Sequence, residues 1–315
     1  MNIKYIAKKT GTLIITLLIV SFLSFLAFQI IPGDAALSKL GTAATAEKAE
    51  ALRQEMGLNQ PVLVRYGRWL ADFVRGDMGT SYSYSMPVRE MIGSKLPITL
   101  AITMISFLMI LILSVPLGLL AGKHEGKSLD QALTVVNQIV MSVPGFFLGI
   151  LITYLFGLVL KWFVPGGYIS YTESFSGFLI YLIPPCIAIA LPKCAMGVKM
   201  LRGSVIQELQ SDYVRTAISR GCRENTVLYR HVLRNALIPV LTFWAMTIAD
   251  IVAGSIIIEQ VFTIPGLGTM LITSISNRDY PVVQCIIVLI AGLVVIVNFI
   301  VDLLYRRIDP RITGQ

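Results

Sequence analysis

Charge is scarce in this sequence. Asp, Glu, Lys and Arg make up 14% of its 315 residues, where soluble domains carry about 25%. The shortfall excludes disorder, a coiled coil and most soluble enzymes. Histidine occurs twice, at His124 and His231, so neither a histidine-pair metal site nor an H-E-x-x-H helix can form. Four cysteines, Cys186, Cys194, Cys222 and Cys285, are too few and too scattered for a disulfide framework. No G-x-S-x-G turn is present, and nothing suggests catalysis. What abounds is apolar: 55% of residues, with a mean hydropathy of +0.75. The expected class is an all-α polytopic membrane protein, its apolar surface covered by lipid and neighbouring helices. The net charge of +8 is then read by position, as a sign of topology and not of nucleic-acid binding.

A bilayer core about 30 Å thick needs about 20 apolar residues in a helix. The intervals between charges find such runs. There are 24 uncharged residues between Lys9 and Asp34, 27 between Lys95 and Lys123, and 30 between Asp130 and Lys161. There are 19 between Glu173 and Lys193, and 22 between Asp279 and Asp302. Ala236 to Ile258 is apolar except for Asp250. Six transmembrane helices are expected, which puts both termini on one side. Lys4, Lys8 and Lys9, the tail arginines Arg306, Arg307 and Arg311, and six arginines over 202–234 place that side in the cytoplasm. The first apolar run exceeds the 7–15 residues of a signal-peptide core and no small-residue cleavage site precedes Pro32, so it reads as an uncleaved helix.

The expected organisation is a tail and first helix over 1–31, an extracytoplasmic segment over 32–96, and a core over 97–315 containing a cytoplasmic loop at 202–235. In the outer segment, residues 46–56 read as a helix stopped by Gly57. Val62, Tyr66, Trp69, Leu70 and Phe73 then mark one face of a second helix ending at Gly76-Asp77. This segment is either a cap packed on the membrane helices or a docking surface for an outside partner. Ala121 to Ser128 ends in Gly-Lys-Ser like a P-loop, but its first glycine is missing and a membrane helix precedes it where a strand is required. It reads as a short cytoplasmic turn.

The loop RGSVIQELQSDYVRTAISRGCRENTVLYRHVLRN is the most informative stretch. Val205, Ile206, Leu209, Tyr213, Ala217 and Ile218 keep helical spacing, and Gly221 is suited to end that helix. Asn225 or Thr226 can cap a second helix that carries Leu228 and Val232. Ala217 and Gly221 form a small-residue seam rimmed by Arg215, Arg220, Arg223 and Arg230, a surface fit for a partner's groove. Basic residues enforcing topology would explain the arginines alone.

The run Asp212-Tyr213-Val214-Arg215-Thr216-Ala217, then Gly221, then Arg230-His231-Val232-Leu233-Arg234-Asn235-Ala236-Leu237-Ile238-Pro239 resembles the "EAA" loop of ABC-importer permeases. More narrowly, the chain resembles the first, B-type permease of the peptide and nickel group. Ile31-Pro32-Gly33-Asp34, Gly57-Leu58-Asn59-Gln60-Pro61, Gly76-Asp77-Met78-Gly79, Leu96-Pro97, Pro265-Gly266-Leu267-Gly268, Arg278-Asp279-Tyr280-Pro281 and Asp309-Pro310-Arg311-Ile312 follow in the family's order. The resemblance implies a channel made with a second permease, and two cytoplasmic ATPases that use ATP and Mg. Each ATPase takes up a coupling helix, here about Gly221 to Tyr229 with Arg220, Arg223, Glu224 and Asn225 at the contact. An extracytoplasmic binding protein delivers peptide or, alternatively, nickel or a metal chelate. This chain would hold no cofactor and hydrolyse nothing, as a multi-pass protein of the bacterial plasma membrane. Arg220 replaces a common lysine, Cys285 a usual glycine, and Asp250 interrupts a small apolar stretch.

Ionisable residues within spans are costly and often functional. Asp250 is expected to face the bundle interior or water, attracting a cationic part of the solute or bonding to a neighbouring helix. Glu259 sits where the resemblance implies an acid, as gate or anchor. Lys193 and Lys199 are expected to snorkel to the cytoplasmic interface. Pro184, Pro185 and Pro192 are expected to break the hydrogen-bond ladder of the fourth span, a kink tolerated beside a pathway, making it a candidate channel lining. The rival reading is a stand-alone ion-coupled secondary transporter, for which the two halves show no internal repeat.

Overall fold

The structure is a computed structural model that describes residues 3–30, 45–55 and 59–308. The Ile31 to Asp34 turn, the expected stop at Gly57-Leu58, and the Asp309 to Ile312 tail lie outside the described residues. The elements are α1 (Ile3–Ile30), α2 (Ala46–Glu55), α3 (Val62–Val74), α4 (Val88–Lys123), α5 (Ser128–Ser142), α6 (Gly145–Ile152) and α7 (Phe175–Leu209). They continue with α8 (Asp212–Ser219), α9 (Glu224–Val227), α10 (Leu233–Val261), α11 (Leu267–Ser276) and α12 (Tyr280–Ile308). No strand occurs among the described residues; Thr80 and Pro87 form an isolated bridge. Five helices are long and apolar enough to cross a membrane, and α5 with the Gly145–Val159 helix forms a sixth, broken candidate.

The chain divides into two compact units, residues 1–99 with 265–296 and residues 100–264 with 297–315. In the first unit, the amphipathic α3 turns its aromatic face to α1. Tyr66 Oη shares a hydrogen bond with Ser21 Oγ at 2.8 Å and donates to the Leu18 carbonyl at 3.2 Å. The Phe22 ring meets Tyr66 edge-on at 5.1 Å, and Trp69 stacks on Phe73 at 5.2 Å. Partial cover of that face, whose residues are all half-buried, is what seats so polar a segment against a membrane helix. Arg75 closes α3 and Gly76 follows at φ +91°, as its left-handed turn requires.

Asp279 organises the loop that follows. It is fully buried and accepts hydrogen bonds from the Ser81 hydroxyl, from Tyr82 N at 3.0 Å and from Ser83 N at 3.3 Å. Burial, then the Asp279 charge, pushes the Tyr82 phenol up to about 12. Thr99 Oγ1 accepts the Leu267 N–H at 2.9 Å and so supplies an acceptor to the start of α11.

The second unit is built on α7. A Cβ at Gly118 would lie 2.8 Å from Leu201 Cβ, and one at Gly122 would lie 2.6 Å from Val205 Cγ1. Only glycine lets α4 approach α7 this closely. Pro184, Pro185 and Pro192 lie inside a continuous 35-residue α7, where each lacks the N–H that would close the ladder without ending the helix. Pro185 is buried and Pro184 half-buried within the packed unit, which holds the helix through the missing donors.

The run from Asp130 to Lys161 is not one straight span. α5 and the Gly145–Val159 helix meet at 95°. The cause is Pro144: it forces Val143 out of helical geometry, to φ −97° and ψ 122°. Thr153–Val159 then winds as a π-helix, and Lys161 follows at φ +54°.

Candidate functional site

The loop between α7 and α10 folds as helix, tight turn, helix. Ser211 precedes α8, and Val214 is the buried residue that seats it. α8 ends at Ser219, where Gly221 N donates to the Ile218 carbonyl at 2.8 Å and Cys222 N to the Ala217 carbonyl at 3.2 Å. Gly221 adopts φ +83°, a left-handed conformation suited to glycine at a helix end. The next helix starts at Glu224 with Arg223 at its cap position, so neither Asn225 nor Thr226 caps it. Asn225 Oδ1 instead accepts from Lys123 Nζ at 2.8 Å, tying the turn to the end of α4. Val227 and Leu228 are buried, and a π-helical turn over Leu228–Val232 leads into α10.

The arrangement protrudes. Every residue from Ile218 to Thr226 is exposed, as are Asp212, Tyr213, Arg215, Tyr229, Arg230, His231, Arg234 and Pro239. Ala217 and Asn235 are half-buried, and nothing in the chain comes within 4 Å of a Cβ built at Gly221. The Gly221 end of the seam is therefore open among the described residues. Glu208 holds the base: its Oε2 accepts from Tyr213 Oη at 2.5 Å and from Asn235 Nδ2 at 3.5 Å. Burial, then that bond to Glu208, pushes the Tyr213 phenol up to about 12.

Beside the loop, Arg202 makes a two-point ion pair with Asp130, Nε to Oδ1 at 2.5 Å and Nη2 to Oδ2 at 2.8 Å. Asp130 Oδ2 also accepts from Gly126 N at 2.9 Å. The Gly-Lys-Ser stretch is thus a turn ordered by a carboxylate, the opposite of a phosphate cradle. Glu208, Arg202, Asp130 and Lys123 are the residues that sequence reasoning missed at this site. The i, i+5 spacing of Glu208 and Tyr213 was the one local signal.

Asp250 does not stand alone. Its Oδ2 accepts from Lys193 Nζ at 2.5 Å, with the side chains 62% and 31% exposed. The expectation that Lys193 snorkels is corrected: a carboxylate on the adjacent antiparallel helix is within its reach. Lys199 is exposed one turn and a half further along α7. Glu259 is fully buried, and its backbone carbonyl accepts from Ile264 N at 2.8 Å. Such burial is what an anchor needs. Cys186, Cys194 and Cys285 are buried free thiols, and Cys222 is exposed. Among the described residues no cluster of three His, Cys, Asp or Glu is placed to hold a metal ion.

Known proteins share this pattern. Residues 114–314 match the "binding-protein-dependent transport system inner membrane component" family, and residues 2–103 match its N-terminal counterpart. The chain is 34% identical over 308 residues to a probable peptide ABC transporter permease of Sinorhizobium fredii, covering 98% of each. It is 36% identical over 311 residues to an oligopeptide transport system permease of Bacillus subtilis, again covering 98% of each. A solved inward-facing MetNI methionine ABC transporter has the same fold, at TM-score 0.56 and 17% identity over 70% of this chain and 96% of that one. These matches set aside the stand-alone ion-coupled transporter. The chain belongs to the binding-protein-dependent inner membrane component family, and it is a permease subunit of an ABC importer, multi-pass in the bacterial inner membrane.

Proposed function

We propose that this chain is the first, B-type permease of a peptide importer, with six spans and both termini in the cytoplasm. The relatives named for peptide transport support peptide as the solute class. No observation favours nickel. The chain forms half of a channel with a second permease, and residues 1–31, 32–96 and 97–315 serve as first span, outer cap and channel core. It catalyses nothing and holds no cofactor; ATP and Mg are used by two cytoplasmic ATPases.

One observation carries this reading. The loop from Asp212 to Val232 projects a glycine-broken helix pair whose tip, from Ile218 to Thr226, is exposed at every residue and tied to the end of α4 by the Asn225–Lys123 hydrogen bond. An ATPase groove takes this tip, with Arg220, Arg223, Glu224 and Asn225 at the contact and Ala217 and Gly221 allowing close approach. Arg215, His231, Arg234 and Pro239 border it. Glu208, through Tyr213 and Asn235, passes the motion of the tip to α7 and α10. Asp250 lies on the solute path, with Pro184 and Pro185 stiffening the wall behind it and Glu259 as an internal anchor.

The test is ATP hydrolysis by the complex co-expressed with its neighbouring genes and placed in lipid. The extracytoplasmic binding protein is supplied empty, loaded with a peptide pool, or loaded with nickel. Stimulation by the peptide load alone is expected. Stimulation by nickel alone would overturn the solute class, and failure of any ATPase to co-purify would overturn the coupling role of the loop.

A further inference from the structure

The Lys193–Asp250 pair sits about midway along the packed length of α7 and α10. Two rungs bracket it on the antiparallel helices α7 and α10. On one side, Tyr181 Oη donates to the Phe262 carbonyl at 2.8 Å. Lys193 is twelve residues from Tyr181, and Asp250 is twelve from Phe262. On the other side, Asn235 donates to Glu208. Lys193 is fifteen residues from Glu208, and Asp250 is fifteen from Asn235. At 1.5 Å per residue the pair lies about 18 Å from the first rung and about 22 Å from the second.

The pair also faces outward. From Val240 to Val261 the exposed residues of α10 are Met246, Asp250, Ala253, Ile257 and Gln260, spaced four, three, four and three apart, which is one stripe of the helix. Two charged groups at this depth, partly uncovered by their own chain, cannot face hydrocarbon without heavy cost. The stripe therefore faces water or a protein neighbour. A channel subunit offers both along one wall. The remaining exposed residues of the stripe are apolar or uncharged, so the pair presents the charge on this wall.

We propose that Lys193 and Asp250 form a recognition site for the charged ends of a zwitterionic peptide in transit. This rests on the reading of the chain as a peptide permease. The Asp250 carboxylate takes the peptide's terminal ammonium and the Lys193 ammonium takes its terminal carboxylate, so the two partners exchange each other for the solute. Neutral overall, the site leaves no lone charge in the channel between passages. Side chains of the peptide make no contact with it, so it selects for termini and tolerates any sequence.

The test uses the full complex with its binding protein in proteoliposomes. Uptake of tri-alanine, its N-acetyl form and its C-amide is read by mass spectrometry, each as the ratio of variant to wild type so that loading of the binding protein cancels. Asp250→Asn is expected to lower uptake of the two forms with a free ammonium about tenfold and to spare the N-acetyl form. Lys193→Met is expected to lower the two forms with a free carboxylate and to spare the C-amide. Equal loss of all three forms, or full recovery of all three in the exchanged Lys193→Asp, Asp250→Lys protein, would make the pair a structural fastener and overturn the proposal. Co-elution of the variant with its partners controls for folding.

A second measurement does not depend on the binding protein. Ala253→Cys, one turn from Asp250 on the same exposed stripe and made together with Cys222→Ser, is treated with a water-soluble thiol reagent with and without tri-alanine. Labelling that tri-alanine slows is expected. A thiol that stays unlabelled in every nucleotide state, or labels at a rate indifferent to the peptide, refutes a solute site. Should no peptide stimulate hydrolysis by the wild-type complex, the peptide-permease reading fails instead, whatever the labelling shows.

Discussion

Replacing Asp130 by Ala removes an acceptor used three times: by Arg202 Nε, by Arg202 Nη2 and by Gly126 N. Asp130 is 3% exposed, whereas Arg202 keeps 31% of its side chain in contact with solvent. Breaking a fully buried pair by deleting one partner costs about 3–5 kcal/mol. Here water reaches the guanidinium and replaces part of what is lost, so about 2 kcal/mol is expected for Asp130→Ala. Deleting both partners with Arg202→Met leaves no orphaned charge, so the double variant should lose only the Gly126 hydrogen bond, about 1 kcal/mol. A double-mutant cycle on the thermal unfolding of the purified complex reads this as a double variant that costs less than the two single variants added together. Coupling should also suffer in function. The Gly126 turn that Asp130 orders follows directly on Lys123, which holds Asn225 of the exposed tip at 2.8 Å. Stimulation of ATP hydrolysis by loaded binding protein should therefore fall in the single variant and stay low in the double, which also lacks the acceptor of Gly126 N. Strict additivity in the cycle would refute the pair as a fastener of α5 on α7.

Other outcomes follow from single contacts. Gly118→Val or Gly122→Val puts a branched side chain where a Cβ already meets Leu201 or Val205 within 2.8 Å, and should cost about 1–3 kcal/mol of thermal stability, checked by the unfolding midpoint. Asp279→Ala leaves the N–H groups of Tyr82 and Ser83 without their acceptor, about 1–3 kcal/mol for each, and should expose the 80–87 loop to protease. The folded state holds the Tyr82 phenol neutral up to about 12, so its contribution is flat below the ordinary tyrosine range near 10 and is lost as pH rises from there; Tyr82→Phe should flatten that alkaline limb of the stability curve. Cys222 is exposed at the tip, so an impermeant thiol reagent on the cytoplasmic side should label the free permease and be excluded once the ATPases are bound.

Much of the architecture was legible because charge and periodicity run along the chain. Intervals between charged residues located the long apolar helices, and the spacing from Val205 to Ile218 with Gly221 after it located the helix pair and its turn. Two departures had local signals that counting passed over. Pro144 lies in the middle of an uncharged run of 30 residues, and its effect on Val143 is what bends that run by 95°. α11 is ten residues long, too short for a test tuned to spans, although Pro265-Gly266 marks its start.

The contacts that matter most were not legible, because each depends on the rotation of one helix against another. Asp279 and Ser81 are 198 residues apart, Arg202 and Asp130 are 72, and Lys193 and Asp250 are 57. A sequence places each of these on a helix or at its end but gives no azimuth. In α7, Lys193 looked like the first charge after a span, which is why it read as a snorkelling residue. The rung between Tyr181 and Phe262 changes that reading. It fixes the register of α7 on α10, and register together with the common count of twelve residues brings an ammonium and a carboxylate to one height. Burial then decides their role. Asp130, 3% exposed near one end of α7, fastens helices; Asp250, 62% exposed midway along α7 and α10, is available to something that passes.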